Sequence, residues 1–189
     1  MEKEKRIKFS DYFKKSIDLL YATKVDFLVI GGMAISVWGN IRLTEDLDLI
    51  IFVPRTGITP LLGNAKKMGF SFDEEKTLKN AKNIGVFKIF YGNYHLDFLI
   101  ASTKLESESL KRKINVEIYG KAAFVPSKED LLLLKVIPGR PKDIIDAESI
   151  GIKQKGKLDE KYLIEWAQEL SDEAEDLRIY NEVRRILKL

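Results

Sequence analysis

The sequence has no cysteine and a single histidine, which excludes disulfides, thiolate zinc sites and histidine-rich metal centres. A bound metal must therefore be held by oxygen ligands, which suits hard divalent cations such as Mg2+ or Mn2+. Net charge is also scarce, because 32 basic and 29 acidic side chains leave only +3. That balance argues against a protein that coats nucleic acid, while leaving room for a local basic patch. Long apolar runs are missing too. The longest uncharged stretch, residues 27–41, is interrupted by Gly31, Gly32 and Gly39, and it is shorter than the roughly 20 residues of a membrane span. The charged residues 1–8 lack the apolar region of a signal peptide, so a cytoplasmic chain with no membrane partner is expected. Neither GxxxxGK[ST] nor GxGxxG is present, which removes support for P-loop and Rossmann nucleotide sites.

What remains is a chain of 189 residues, 45% of them hydrophobic, enough for one core and a small helical appendage. Phe9, Phe13, Ile17, Leu20 and Tyr21 recur at helical spacing, with Ser10 as the expected N-cap. Residues 27–30 read as a buried strand, residues 33–38 as a short helix with Gly39 as its C-cap, and residues 47–53 as a second strand. Thr59 before Pro60 reads as an N-cap, and Leu61, Leu62, Ala65 and Met68 supply that helix with an apolar face that ends at Gly69. The polar residues 71–83 are expected to form a mobile loop. Residues 86–91 and 94–100 flank Gly92-Asn93, a two-residue hairpin turn, and Ile114, Val116 and Ile118 alternate as a further strand. Ser127-Lys128-Glu129-Asp130 has capping-box form, Pro141 opens a helix, and the chain ends in two helices with Ser171 between them. This order predicts an α+β fold, a mixed β-sheet flanked by helices. Residues 1–126 would form the α/β core and residues 127–189 a helical C-terminal part.

Within residues 44–50 side chains alternate, so Asp46 and Asp48 point to one face while Leu47 and Leu49 anchor the other. Two carboxylates one pleat apart repel each other, and a divalent cation removes the conflict. The alternative is a strand end carrying two solvated aspartates. Gly31-Gly32, at a strand-to-helix turn, either lets backbone N–H groups approach an anion or simply makes the turn tight.

Gly31-Gly32-Met33-Ala34, followed by Gly39-x-x-Arg42-x-Thr44-x-Asp46-x-Asp48, resembles the signature of the DNA polymerase β-like nucleotidyltransferase superfamily. Asp97 stands where that superfamily places a third carboxylate on a later strand. A second block, from Ser127-Lys128-Glu129-Asp130-Leu131 through Lys135 to Gly139-Arg140-Pro141-Lys142-Asp143, resembles its bacterial and archaeal branch with the abortive-infection (AbiEii-type) toxins. The resemblance implies transfer of a nucleoside monophosphate from an NTP to a hydroxyl acceptor, with release of pyrophosphate. It implies two Mg2+ or Mn2+ ions on Asp46, Asp48 and Asp97, with Asp97 on the acceptor side as general base. Gly31, Gly32, Ser36 and Arg42 would hold the triphosphate, and Lys135, Arg140 and Lys142 would lie near the nucleotide or substrate. The acceptor implied is RNA, tRNA in particular, with an antitoxin protein as partner. Alternatives are a small-molecule, antibiotic-type acceptor, or a non-catalytic nucleotide- or partner-binding domain.

Several of these residues also have plainer readings. Arg42 can be a surface arginine, and Lys135, Arg140 and Lys142 can serve helix ends. The hairpin turn places Lys88 opposite Asp97. There Lys88 either tunes that carboxylate or meets a phosphate, unless the two form an ordinary cross-strand ion pair. His95 shares the predicted face of Asp97, as an auxiliary base or as a solvated side chain. The Lys111-Arg112-Lys113 run and Arg184-Arg185 are candidates for touching nucleic acid, or solvated faces.

Overall fold

The computed structural model describes residues 7–189. Most of the charged N-terminal stretch behind the signal-peptide expectation, residues 1–6, lies outside the described residues. The chain divides into two compact units, Met1–Gly32 with Leu43–Val125 and Met33–Arg42 with Pro126–Leu189. Residues 33–42, assigned from sequence to the α/β part, thus group with the C-terminal helices.

In the first unit, α1 (Phe9–Ala22) precedes β1 (Asp26–Val29). Next, α2 (Gly31–Trp38) opens on the two glycines and continues into the second unit. The first unit resumes with β2 (Leu47–Phe52), α3 (Ile58–Lys67), α4 (Glu74–Asn83), β3 (Val86–Tyr91) and β4 (Tyr94–Ile100). It closes with α5 (Lys104–Lys111), β5 (Ile114–Ile118) and β6 (Lys121–Val125). The main sheet has the order β1-β2-β4-β3. It is mixed: β2 runs parallel to β4, and the other two pairings are antiparallel. One face carries Leu49, Leu96, Phe98 and Phe87, all buried, and α1 covers it with Tyr12 stacked on Tyr94 at 4.8 Å between ring centroids. Each such buried side chain contributes roughly 1.5–3 kcal/mol. The other face carries Asp48, Asp97 and Lys88 in one register row.

The second unit is helical, with α6 (Lys128–Val136), α7 (Pro141–Lys153), α8 (Glu160–Ala174) and α9 (Arg178–Leu187). Ser127 caps α6 by accepting from Asp130 N–H, and Pro141 sits at the first position of α7. The Trp38 indole N–H donates to Pro126 C=O at 2.9 Å, and Gln154 donates to Trp38 C=O at 2.9 Å. These bonds tie the end of α2 to the C-terminal helices.

Several local expectations are corrected. Lys8, not Ser10, holds the N-cap position of α1; Phe9 is drawn into the first turn by ring contacts with Tyr12 and Tyr94 at 5.4 Å. Thr59 lies inside α3, because a 3-10 turn at Arg55–Gly57 feeds straight into the helix and Ile58 is buried. Gly39 does not end α2 in a left-handed conformation. Its N–H still bonds to Ile35 C=O at 2.7 Å, and a Cβ there would lie 2.3 Å from Ser149 Oγ, so close approach is what requires glycine. Residues 71–83 are not a loop. Asp73 caps α4, a helix that buries only Thr77 and Ala81 and so shows no apolar stripe. The strand at Ile114 pairs with β6 in a separate two-stranded sheet. Ser171 lies within α8, and its hydroxyl accepts from Tyr180 N–H at 3.0 Å. The break between α8 and α9 comes at Glu175, in the left-handed region at φ +50.

Candidate active site

Parallel pairing sets Asp48 of β2 directly beside Asp97 of β4. Antiparallel pairing sets Lys88 of β3 on the far side of Asp97, as the two-residue turn requires. The Lys88 ammonium lies 3.2 Å from Asp97 Oδ1. Asp46 precedes β2, where its N–H is accepted by the Thr44 hydroxyl at 3.2 Å. Its carboxylate nevertheless reaches the same place, because His95 Nε2 lies 3.5 Å from Asp46 and 3.3 Å from Asp97. The structure thus gathers Asp46, Asp48, Asp97, Lys88 and His95 at the open face of one sheet.

Gly31 meets this cluster from α2. It has φ +63, and a Cβ on it would lie 1.9 Å from Asp48 Oδ2. Two requirements therefore converge on glycine: the left-handed backbone and the space taken by the carboxylate. The positive end of α2 also favours a negative group at this place. Beneath the cluster, the buried Tyr12 hydroxyl donates to the backbone carbonyl of His95. Burial, followed by the charges of Asp97, Asp46 and Asp48, pushes its pKa above the ordinary tyrosine value, which keeps it a neutral donor. The sequence does not single out Tyr12, since nothing local ties residue 12 to residue 95.

The three aspartates offer oxygen donors alone, the donor set that suits a hard divalent cation. In the arrangement present, no three acidic, histidine or cysteine side chains among the described residues close on a common centre. The Lys88 ammonium lies against Asp97 instead, and His95 Nε2 lies between Asp46 and Asp97. A divalent ion would balance the carboxylates, and the chemistry of the donors fits one.

The remaining sequence candidates lie in the second unit. The Ser36 hydroxyl lies 3.4 Å from Arg42 N–H and accepts from it, and the Arg42 guanidinium lies 3.5 Å from Asp146. Arg42 Nε is a buried donor with no partner among the described residues. Lys135 is held between Asp143 and Asp146, 2.9 Å from each, and Arg140 also pairs with Asp143. Burial pushes the Asp143 carboxyl up, but hydrogen bonds and charge from Lys135 and Arg140 outweigh it and hold the group below the usual aspartate range. Lys142 lines a cavity of about 370 Å³ with Asn40, Arg42, Asp146 and Ser149. The two partners that organise this cluster, Asp143 and Asp146, were not among the sequence candidates.

A family model described as a nucleotidyltransferase of unknown function (DUF6036) matches residues 11–186. No protein of curated function matches the chain. Among solved structures, the solution structure of the antibiotic-resistance factor ANT(2'')-Ia is similar with a TM-score of 0.60 at 16% identity, over 88% of this chain and 93% of that one. The crystal structure of ANT(2'')-Ia in complex with adenylyl-2''-tobramycin gives a TM-score of 0.52 at 16% identity, over 95% and 97% of the two chains. At such identities the likeness is one of fold.

Proposed function

Because the chain belongs to this nucleotidyltransferase family, we propose that it transfers a nucleoside monophosphate from an NTP to the hydroxyl of a small molecule, using divalent metal held by Asp46, Asp48 and Asp97. The observation that carries this reading is the parallel β2–β4 register, which sets Asp48 beside Asp97 while Asp46 and Asp97 both reach His95. Two Mg2+ or Mn2+ ions there would make the acceptor hydroxyl more acidic and neutralise charge on the leaving pyrophosphate. Asp97 takes the acceptor proton, with the Lys88 ammonium 3.2 Å from its carboxylate. Gly31 keeps a side chain out of the space beside Asp48, and the first N–H groups of α2, from Gly31 and Gly32, would meet the triphosphate there.

A small acceptor is favoured over RNA by the state of the basic runs. Lys113 is paired with Asp26 at 3.2 Å and lies over the Phe124 ring, and Lys111 is paired with Glu108. Arg185 is paired with Glu148 and Glu182. Side chains neutralised within the fold offer a polyanion little net attraction. ANT(2'')-Ia, bound to adenylyl-2''-tobramycin in its crystal structure, has a small-molecule acceptor on the same fold. The test is incubation with each α-labelled NTP, Mg2+ or Mn2+, and acceptor panels of small alcohols and of tRNA. Label should move to a small acceptor. Label moving to tRNA alone would transfer the reading to RNA, and NTP binding without transfer to any acceptor would leave a binding domain.

A further inference from the structure

Beside the three aspartates, wholly within the first unit, lies a cavity of about 410 Å³. Its walls include Ile30, Val86 and Leu99, together with Asn80 of α4 and Lys88 of β3. The carboxylates that line it are Asp48 and Asp97. Along β3 the side chains facing outward are Val86, Lys88 and Phe90. Val86 and Phe90 are exposed to 39% and 43% although apolar, so a single ammonium stands between two uncovered apolar groups. Exposed β-branched and aromatic side chains flanking one cation on a strand are what a flat ligand needs for contact.

We propose that this cavity is the acceptor pocket, and that it takes a neutral or anionic alcohol with a flat apolar face, such as an aryl glycoside, rather than a polycation. The proposal rests on the nucleotidyltransferase reading and adds the chemistry of its acceptor. Size places the acceptor among small molecules, since pockets of roughly 300–1,000 Å³ bury most of a drug-sized ligand. Charge selects among them. In that reading metal takes Asp48 and Asp97, and Lys88, paired with Asp97 at 3.2 Å until then, is the basic side chain of the lining. A polyamine sugar would meet an ammonium and apolar walls, and both oppose it. A glycoside hydroxyl held here stands next to Asp97, the residue that receives its proton. The acceptor O–H gives its oxygen to the α-phosphorus, the bond from that phosphorus to the bridging oxygen breaks, and pyrophosphate leaves.

The test uses the full chain with methyl-labelled valine, leucine and isoleucine, read by NMR. The probes are 4-methylumbelliferyl β-glucoside (neutral), 4-methylumbelliferyl β-glucuronide (anionic), tobramycin (polycationic) and ATP. Both aryl glycosides should shift the Val86, Leu99 and Ile30 methyls saturably, and tobramycin should not. Val86→Asp, on an exposed position of an edge strand, should weaken both glycosides at least fivefold. Shifts of the same methyls by tobramycin, or by ATP alone, would overturn the proposal, as would silence with both glycosides. Transfer of label from [α-32P]ATP is scored in parallel. Methyl shifts without labelled product from any NTP would sustain the pocket and sink the transferase reading. Labelled tobramycin would sustain the transferase reading and sink the pocket.

Discussion

The two units handle charge in opposite ways. In the first, three aspartates stand together at the open face of a sheet with one lysine and one histidine against them. In the second, charges of opposite sign alternate through Arg42, Asp146, Lys135, Asp143 and Arg140. The middle of that chain is covered, with Lys135, Asp143 and Asp146 exposed to 12%, 5% and 7%. Each inner charge of that chain lies between two of opposite sign, so removing one leaves its neighbours buried without it. The first cluster instead sets three carboxylates against one ammonium and one imidazole, an excess of one sign that a cation would balance. Both clusters combine acidic and basic side chains, and the order of charge separates them: an excess of one sign in the first, strict alternation in the second.

The largest effect should come from the aspartate cluster of the first unit. Asp46→Asn with Asp48→Asn should lower nucleotidyl transfer at least a thousandfold, about 4 kcal/mol in the barrier. The urea midpoint should stay or rise, because like charges are removed. A double variant that unfolds would mean that the aspartates serve structure, erasing the contrast between the units.

The second prediction reverses that pattern. Lys135→Met leaves Asp143 and Asp146 buried without their shared ammonium, and should destabilise the chain by about 3 kcal/mol in urea unfolding. If Lys135 instead held a phosphate, as the motif resemblance implies, stability would change little and the KM for NTP would rise. Comparing the urea midpoint with the KM separates the two roles.

Gly31→Ala probes the place where α2 meets the aspartates. The left-handed backbone and the overlap with Asp48 should together cost about 2 kcal/mol. Transfer should fall further than stability alone accounts for, since Asp48 must move. Unchanged transfer would show that the glycine serves only the turn.

How far each part was legible in the sequence follows from the range of the interaction that forms it. The Lys88–Asp97 pairing was readable because a two-residue turn fixes register over the whole hairpin. The same-face reading of Asp46 and Asp48 followed from alternation, although the strand starts only at Leu47. By contrast, α4 escaped because two small buried side chains make no hydrophobic stripe. Ser10, Thr59 and Ser171 have the chemistry of caps but sit inside helices, since packing of Phe9, Ile58 and the α8–α9 pair decides where those helices run. The bridge from Arg42 to Asp146 joins residues far apart in the chain, and no local pattern encodes it. The basic motif around Lys135 was visible as charge, but its neutralisation by Asp143 and Asp146 was not.

The smallest effect concerns acid stability. Asp143 has a carboxyl held below its ordinary value of 3.8 by Lys135 and Arg140 against the opposing effect of burial. Glu129 is likewise held below 4.5, where burial is outweighed by N–H groups of Asp159 and of Glu129 itself together with Lys128. A carboxyl with a depressed folded pKa contributes stability that is complete above the unfolded value and lost as pH falls through the folded one. Both groups belong to the second unit, so it should contribute most of the steepening of acid unfolding below about pH 4.5. Asp143→Asn should flatten the pH dependence of the urea midpoint in that range while leaving Lys135 its bond to Asp146. A slope unchanged by Asp143→Asn would show that its buried pairs with Lys135 and Arg140 do not set the acid limb.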